Sequence, residues 1–265
     1  MSWLVVARKD FEDSIRSRWL LGLTILFVLL VSLISYIVRG AGSANQVLQL
    51  SSEVFTRTLV PLIALVVAYN AVTGERKSGS LKLLLSLPHS RADVVFGKVA
   101  GRAAALSAAI AVGFLLPAII LAVGPFSLEI GAYLGYTLLL ALLASAFVAI
   151  AVGWSAAAPS QRIALGGAIG LYFLFGPFWG AIQFRLQMAL SSLPEWLPVS
   201  SKTIGNALFI VNPVEAFRGL SGSLLAEQFL TGQSANLQVA ALAMLGVWLL
   251  GAPLAGLLVF QRRDL

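Results

Sequence analysis

Charged residues are scarce in this sequence, and cysteine is absent from it. Only 11% of the 265 residues are charged and 59% are hydrophobic, whereas an ordinary soluble domain carries about 25% charged residues. A soluble chain of this length could not cover its surface with so few charges, so we expect a membrane protein. The lack of cysteine excludes disulfides, thiolate zinc sites and cysteine nucleophiles.

Groups that carry out catalysis or bind metals are also scarce. His89 is the single histidine, which excludes a histidine-rich metal site. No G-x-x-x-x-G-K-[ST] phosphate-binding loop occurs, so we expect no ATP hydrolysis by that route in this chain. The long apolar runs contain essentially no charge, unlike proton relays and voltage sensors. The sequence therefore predicts a non-enzymatic membrane protein whose energy comes from outside its membrane domain.

Six apolar runs approach or exceed the length that crosses a bilayer, which is about 20 residues. None alternates in polarity as a membrane β-strand does. We therefore predict an all-α membrane protein with a single transmembrane domain over residues 1–265. The predicted spans are residues 19–38, 55–73, 103–123, 130–154, 163–182 and 237–260.

Lysine and arginine are distributed unevenly around these spans. If the N-terminus lies inside, thirteen of the eighteen basic residues fall on the inner side. Because basic loops stay in the cytoplasm, we predict that both termini are cytoplasmic and that the chain lies in the cell membrane. The net charge of +7 is then explained by topology, and we expect no nucleic-acid partner.

Proline occurs within four of the predicted spans, at Pro61, Pro117, Pro177 and Pro253. Each proline removes a helical hydrogen bond and can kink its helix. The small-residue run Ala164–Gly170 allows neighbouring helices to approach closely. Ordinary helix packing and a moving seam both explain these features, and the sequence leaves the two alternatives open.

The segment Gly74–Arg102, GERKSGSLKLLLSLPHSRADVVFGKVAGR, holds six basic residues between the second and third spans. Its leucine-rich part is too short to cross a membrane, and it predicts a short helix at the membrane face that ends at Pro88. Ser78 and Ser80 are candidate caps for the start of that helix. The basic residues fit either a positively charged anchor or a docking element for a cytoplasmic partner.

The same segment resembles the signature of permease subunits in the type-2 family of ATP-binding-cassette (ABC) transporters. That pattern runs from glutamate through glycine, serine or threonine, and leucine to a leucine-rich stretch, proline, arginine and finally glycine-lysine. Ser80 stands where threonine is common. The resemblance implies an ATPase-coupling site at the matching positions, which are Glu75, Gly79, Ser80, Leu81, Leu84, Pro88, Arg91, Gly97 and Lys98.

The rest of the chain is similar to this family as well. An amphipathic N-terminal helix on the inner membrane surface is predicted by apolar residues at helical spacing, Leu4, Ala7, Phe11 and Ile15. In the family such a helix helps to seat the ATPase. Asn212-Pro213-x-Glu215 has the residues of a helix start, and we predict a re-entrant or interfacial outer helix there, before the last span.

The resemblance implies a permease subunit without an ATPase site of its own. Two copies of a separate ABC ATPase would bind ATP and Mg²⁺, and a second permease, of the same or a related chain, would complete the membrane part. No cofactor or metal is expected in this chain. Glu75 would cap or hydrogen-bond within the coupling element, and Arg91 and Lys98 would pair with acidic residues or lipid phosphate. The substrate path would run between the permeases, near spans two and five.

The substrate is not readable from the sequence. Export is expected because the family mostly exports. The pattern is compatible with a subgroup that serves metalloenzyme maturation, including copper-site assembly for nitrous oxide reduction. A different class of function also fits, namely a membrane scaffold, or a mechanotransmission or signalling subunit that works with an ABC ATPase and transports nothing.

Overall fold

The computed structural model describes residues 2–37, 44–86, 89–123, 129–191 and 201–263. Every regular element in these ranges is helical, which confirms the predicted all-α membrane protein. Pro88, one of the predicted coupling-site positions, lies outside the described ranges.

The described part of the first half of the chain forms seven helices. A π-helical turn, Phe55–Leu59, joins the third helix to the fourth. The helices are α1 (Ser2–Ile15), α2 (Arg18–Ile37), α3 (Ala44–Val54), α4 (Val60–Ala68), α5 (Thr73–Ser78), α6 (Ser80–Ser86) and α7 (Arg91–Val123).

The second half contributes six more helices within the described residues. A short 3₁₀ turn, Gly232–Ser234, precedes the last of them. They are α8 (Ile130–Ala157), α9 (Gln161–Phe175), α10 (Trp179–Ser191), α11 (Ser201–Val211), α12 (Pro213–Leu225) and α13 (Ala235–Gln261).

Among the residues that the structure describes, five helical stretches are long and apolar enough to cross a membrane, and a bent pair of helices makes a sixth candidate. Several extend beyond the apolar runs seen in the sequence. The helix of the third span begins at Arg91 although its apolar run begins at residue 103, because a helix continues into polar flanks once the bilayer core ends. The candidate spans are Arg18–Ile37, Asn45–Ser78, Arg91–Ile119, Ile130–Ala157, Gly232–Gln261 and the pair Gln161–Phe175 with Trp179–Ala189.

The four prolines are accommodated in three ways. Pro117 and Pro253 lie inside the continuous helices α7 and α13. Pro61 follows the π-helical turn, and because it has no amide hydrogen it cannot donate to the carbonyl of Arg57. Pro177 lies in the break between α9 and α10, whose axes are bent by 62°. The stretch predicted as the fifth span is therefore broken rather than straight.

A row of aromatic rings runs through the buried interior and connects five parts of the chain. Successive ring centroids are 5.4 to 5.9 Å apart, a favourable separation for aromatic pairs. Each ring is at most 1% exposed. The members are Phe27 of α2, Phe55 of the π-helical turn, Phe114 of α7, Tyr136 of α8 and Phe217 of α12. The row lies against α8, the central helix, which packs on α4, α7, α12 and α13.

Asn212 confirms the helix start predicted from the sequence. Its side-chain oxygen accepts hydrogen bonds from the backbone N–H groups of Val214 (2.7 Å) and Glu215 (3.4 Å), as an N-cap does. Its amide nitrogen donates to the carbonyl of Phe175, 2.9 Å away at the end of α9. The asparagine therefore joins α12 to the broken fifth span. A re-entrant or interfacial position of α12 stays a prediction.

Candidate coupling site

One end of the helical bundle gathers segments that are far apart in the sequence. α1 packs along the first part of α7. Arg76 of α5 donates to the carbonyl of Ala158, just after α8, at 2.9 Å. Arg91, at the start of α7, donates to the carbonyls of Phe260 and Arg263 at the end of α13. α1, the α5–α6 segment with the start of α7, the end of α8 and the end of α13 therefore meet at this end, on the side that we predict to be cytoplasmic.

A buried network of alternating charges lies at the junction of α1, α5 and α7. Lys98 Nζ lies 2.6 Å from a carboxylate oxygen of Glu75 and 3.1 Å from one of Asp10. The other Asp10 oxygen accepts from Arg102 Nε at 3.0 Å. A second nitrogen of Arg102 donates to the carbonyl of Val67 at 2.6 Å, near the end of α4. Four elements thus meet through one chain of contacts.

The network balances its own charge in a place where little water reaches it. The Lys98 side chain is 3% exposed, and those of Asp10 and Arg102 are 11% and 16% exposed. Two carboxylates and two cations sum to zero, so each buried charge has an opposite neighbour. Removal of one member leaves its partner as an unpaired buried charge, which is costly in a medium of low dielectric constant. The arrangement therefore holds α1, α5 and α7 in one relative position.

Two glycines on α7 allow α1 to come close enough for these contacts. A methyl group at Gly97 would lie 2.6 Å from the Val6 Cβ and 2.9 Å from the backbone oxygen of Trp3. At Gly101 it would lie 2.9 Å from the Cβ of Asp10. Gly97 and Gly101 are one helical turn apart, the small-x-x-x-small spacing that brings membrane helices together. The side of α1 that packs on α7 is therefore formed by Val6, Ala7 and Asp10.

α5 is also fixed to α8 by a buried serine. The hydroxyl oxygen of Ser155 accepts from the backbone N–H groups of Val72 (3.1 Å) and Thr73 (3.3 Å). These N–H groups lie at the start of α5, where a helix has no internal acceptors for them. Ser155 is fully buried, so the bond is protected from water. The beginning of the predicted coupling element is thus attached to span four.

Gly79 separates α5 from α6 in a conformation that suits glycine. Its φ is +80°, the left-handed region in which a side chain is strained. The hydroxyls of Ser78 and Ser80 donate to the carbonyl of Glu75, at 3.2 and 3.4 Å, and so close the turn. We expected these serines to cap the start of the leucine-rich helix, but their hydroxyls are mainly used at the end of the preceding one.

α6 presents one apolar face inwards and a second face outwards. Leu81 is fully buried, and Leu84 is half-buried against the core. Lys82 and Leu83 point away from the protein, and Leu83 is 72% exposed. A leucine this exposed, next to a lysine and at the end that we predict to be cytoplasmic, suits contact with another protein.

Arg91 takes a position that differs from our expectation of an acidic or phosphate partner. Within the described residues its guanidinium donates to two backbone carbonyls, those of Phe260 and Arg263, the latter at 2.9 Å. Its central carbon also lies 4.9 Å from the centre of the Phe260 ring. The C-terminal end of a helix is negative, so a cation there is stabilising. Arg91 therefore fastens the end of α13 to the start of α7.

The structure brings together only some of the positions that the family signature assigns to coupling. Glu75 and Lys98 are in direct contact, and Gly97 lies beside them at the α1 contact. Gly79, Ser80, Leu81 and Leu84 shape the α5–α6 turn and α6, and Arg91 lies at the end of α13. Pro88 is outside the described residues. A role of these residues in coupling stays a prediction.

Sequence reasoning missed Asp10 as a partner of Lys98. A signal for it was available, since Asp10 follows Val6 by four residues and therefore shares its helical face. Of the four residues predicted to form the apolar stripe of α1, Leu4 and Ile15 are 48% and 44% exposed, whereas Ala7 is buried on the side that packs on α7. α1 thus has an outward apolar stripe and an inward face that includes a charge.

An exposed ion pair on α1 provides a contrast with the buried network. Arg8 Nε lies 2.8 Å from a carboxylate oxygen of Glu12, one turn later. The hydrogen bond from Arg8 and its positive charge lower the pKa of Glu12 from its ordinary value. Both groups are open to water, which screens their attraction, so the pair contributes little to stability.

Comparison with known proteins identifies the family to which these helices belong. The sequence model of the family described as "ABC-2 family transporter protein" matches residues 4–265, which is nearly the whole chain. The chain belongs to the ABC-2 family of transporter proteins. It is accordingly the membrane subunit of an ABC transporter, a class of permease that is normally not itself the ATPase and that works with an ATPase partner.

Two curated relatives carry the same description, "Probable ABC transporter permease protein NosY". The one from Pseudomonas aeruginosa is 35% identical over 234 residues, which cover 82% of this chain and 81% of the relative. The one from Stutzerimonas stutzeri is 32% identical over 232 residues, covering 82% and 80%. The ABC-2 chain is thus similar to permeases over most of the length of both proteins.

The part of this ABC-2 permease that the structure describes contains no group of three or more histidine, aspartate or glutamate side chains placed to hold a metal ion. The carboxylates of Asp10 and Glu75 are instead occupied by cations of the protein itself. The chemistry at this end of the bundle is therefore electrostatic attachment between helices.

Proposed function

We propose that this permease couples ATP hydrolysis by a separate ABC ATPase to the export of a substrate across the cell membrane. Two ATPase copies bind ATP and Mg²⁺ on the cytoplasmic side, where both ends of this chain lie. A second permease, of the same or a related chain, completes the membrane part. The substrate path runs between the two permeases, near spans two and five.

The contact of Lys98 with both Asp10 and Glu75 is the observation that supports this proposal most directly. A force applied to α5 and α6 reaches α7 through Glu75 and Lys98, and it reaches α1 through Lys98 and Asp10. Ser155 connects the same loop to α8. A loop that is fastened to three other helices moves them together and does not flex alone. Such rigidity suits an element that passes motion from an ATPase to membrane helices.

The proposal is tested with the permease and its ATPase reconstituted in nanodiscs. Glu75→Gln and Asp10→Asn remove one charge each from the network and keep the shape of the side chain. We expect permease-dependent ATPase activity to fall about 5- to 150-fold, as for the loss of a typical coupling free energy. Arg91→Ala is expected to act in the same direction, because it frees the end of α13. Glu12→Gln, in the exposed pair on α1, is the matched control and is expected to retain activity.

Assembly is measured separately from coupling. Leu83→Asp places a charge on the outward face of α6 and is expected to weaken co-purification of the ATPase, whereas Ser86→Asp in the same helix is the control. Full ATPase activity in Glu75→Gln, Asp10→Asn and Arg91→Ala would contradict the coupling role. The alternative of a scaffold or force-transmitting subunit predicts normal coupling in the wild type without movement of any substrate, including copper, into or out of sealed vesicles.

A further inference from the structure

A second group of cations lies at the same end of the bundle and has no acidic partner within the described residues. It lines a cavity of about 650 Å³ between the end of α4, α5 and the start of α9. The cavity wall includes Tyr69, Thr73, Arg76, Lys77, Gln161 and Arg162. Three of these side chains are positively charged and none of the lining side chains is negatively charged. The cavity is therefore an anion-attracting site.

Arg76 shows most clearly that this charge is not neutralised by the protein. One of its terminal nitrogens donates to the carbonyl of Ala158, while its Nε and its other terminal nitrogen are buried without a hydrogen-bond partner. The central guanidinium carbon of Arg76 lies 5.5 Å from the centre of the Phe260 ring. That of Arg91 lies 4.9 Å from the same ring centre. Unpaired buried donors are costly, and the positive charge of Arg76 beside the cavity has no acidic partner within the described residues. The neighbouring Lys98 network is neutral by contrast.

An exposed apolar stripe rises from the cavity along α9. Leu165 forms part of the cavity wall, and Ile169 and Phe173 follow it at four-residue intervals, one helical turn apart. The three side chains are 43%, 51% and 39% exposed. The stripe continues along a candidate membrane span. A ligand with a negative head and an apolar tail fits this combination of cavity and stripe.

We propose that the cavity binds the phosphate group of an acidic phospholipid, whose acyl chains lie along the stripe on α9. Lys77 and Arg162 donate to the phosphate, Arg76 adds its positive charge beside them, and Gln161 is an additional hydrogen-bond donor. Basic pockets between helices at the membrane surface are known to select anionic headgroups in this way. The lipid would neutralise the cations next to α5 and so stabilise the loop that we propose to contact the ATPase.

The 265-residue protein in micelles of an uncharged detergent with phosphatidylcholine is titrated with phosphatidylglycerol, and the thermal unfolding midpoint reports binding. The test variant is Lys77→Gln/Arg162→Gln, in which both side chains are exposed, so the fold is retained. The control is Lys9→Gln on α1 combined with Arg16→Gln just after it, which removes the same charge from exposed positions outside the cavity. We expect the test variant to bind phosphatidylglycerol about 10- to 30-fold more weakly than the wild type. The control is expected to bind as the wild type does.

Three results would overturn the lipid assignment. Equal phosphatidylglycerol affinity in the test variant and the control would show that the cavity does not bind the lipid. Stabilisation by glycerol phosphate or inorganic phosphate as strong as that by phosphatidylglycerol would identify a site for a soluble anion. Loss of ATPase co-purification in the test variant at unchanged lipid affinity would identify a docking site for the ATPase. Lipid binding is measured without ATPase, so its outcome is independent of the coupling proposed above.

Discussion

Lys98 and Asp10 are 88 residues apart in the sequence, yet their charged groups lie 3.1 Å apart in a nearly dry part of the structure. The contact fastens α1 to α7. Because Lys98 also holds Glu75 at 2.6 Å, the N-terminal helix and the coupling loop share a single cation. A change in this one residue should therefore affect three helices at once.

Lys98→Met tests the contribution of the shared cation to stability. The methionine retains the apolar stem of lysine but leaves Glu75 without its counter-ion, while Arg102 still pairs with Asp10. We expect the free energy of unfolding to fall by about 3–5 kcal/mol, the usual effect of breaking a buried ion pair. The measurement is thermal unfolding of the purified permease in detergent, compared with the wild type.

The double variant Lys98→Met/Glu75→Gln separates lost charge balance from lost packing. It removes the unpaired carboxylate as well, so we expect it to be more stable than Lys98→Met alone. Arg8→Gln disrupts the exposed pair on α1 and should leave the unfolding midpoint unchanged. If Arg8→Gln and Lys98→Met had the same effect, the network would not hold the helices together as we describe.

Gly97→Ala tests the close approach of α1 to α7. The added methyl group meets the backbone oxygen of Trp3, which cannot rotate away, so α1 must shift. We expect a destabilisation of about 1–3 kcal/mol, as for overpacking in a well-packed interior. Gly22→Ala in α2 is the control, because nothing lies within 4 Å of the new methyl group. There the change should be neutral or stabilising by up to about 1 kcal/mol, and equal effects at both sites would contradict the close contact.

Features with a local cause were predictable from the sequence. The apolar runs predict the membrane helices because each such helix must form its backbone hydrogen bonds within itself and present apolar side chains to lipid. Asn212 was identified as a cap because capping depends on residues within one turn. The break at Pro177 was only partly predicted, since a proline permits either a mild kink or a full break. Packing against other elements, including the bond from Asn212 to Phe175, accompanies the break here.

The buried network could not be predicted in the same way, because its members meet only after folding. The family resemblance left Lys98 with either acidic residues or lipid phosphate as partners, and neither Asp10 nor Glu75 was identified. The glycine pair Gly97 and Gly101 was a clue, since its spacing indicates a closely packed helix without naming which one. The sequence thus indicates which face of α7 packs closely on another helix, but only the folded structure shows that this helix is α1.

Ser155→Ala tests the attachment of the coupling loop to span four. The hydroxyl oxygen accepts from two buried N–H groups, those of Val72 and Thr73. Its removal leaves these donors unsatisfied, so we expect a loss of about 1–3 kcal/mol in unfolding free energy together with weaker ATPase coupling. Ser145→Ala in the same helix is the control, because Ser145 donates only to its own helix at Ala141. Identical stability of the two variants would contradict the attachment.

Gly79→Ala tests the turn between α5 and α6. A side chain in the left-handed region costs about 1–2 kcal/mol, so we expect Gly79→Ala to be destabilised by that amount or to open the turn. Gly79→Asn should cost less, because asparagine tolerates this region. Thermal unfolding gives the stability, and limited proteolysis at Lys77 and Lys82 reports opening of the turn. Equal stability of the alanine and asparagine variants would argue against a left-handed residue at this position.

Arg91→Lys tests the attachment of the end of α13 to the start of α7. Lysine keeps the positive charge but cannot contact two carbonyls and the Phe260 ring with one planar group. We therefore expect faster hydrogen exchange at the end of α13 and just after it, at residues 258–263, with exchange in the first turn of that helix unchanged. Arg262→Lys is the matched control, because Arg262 is exposed and next to the same carbonyls. If both variants exchanged at the wild-type rate, charge alone would hold the end of the helix, and the guanidinium geometry would have no role there.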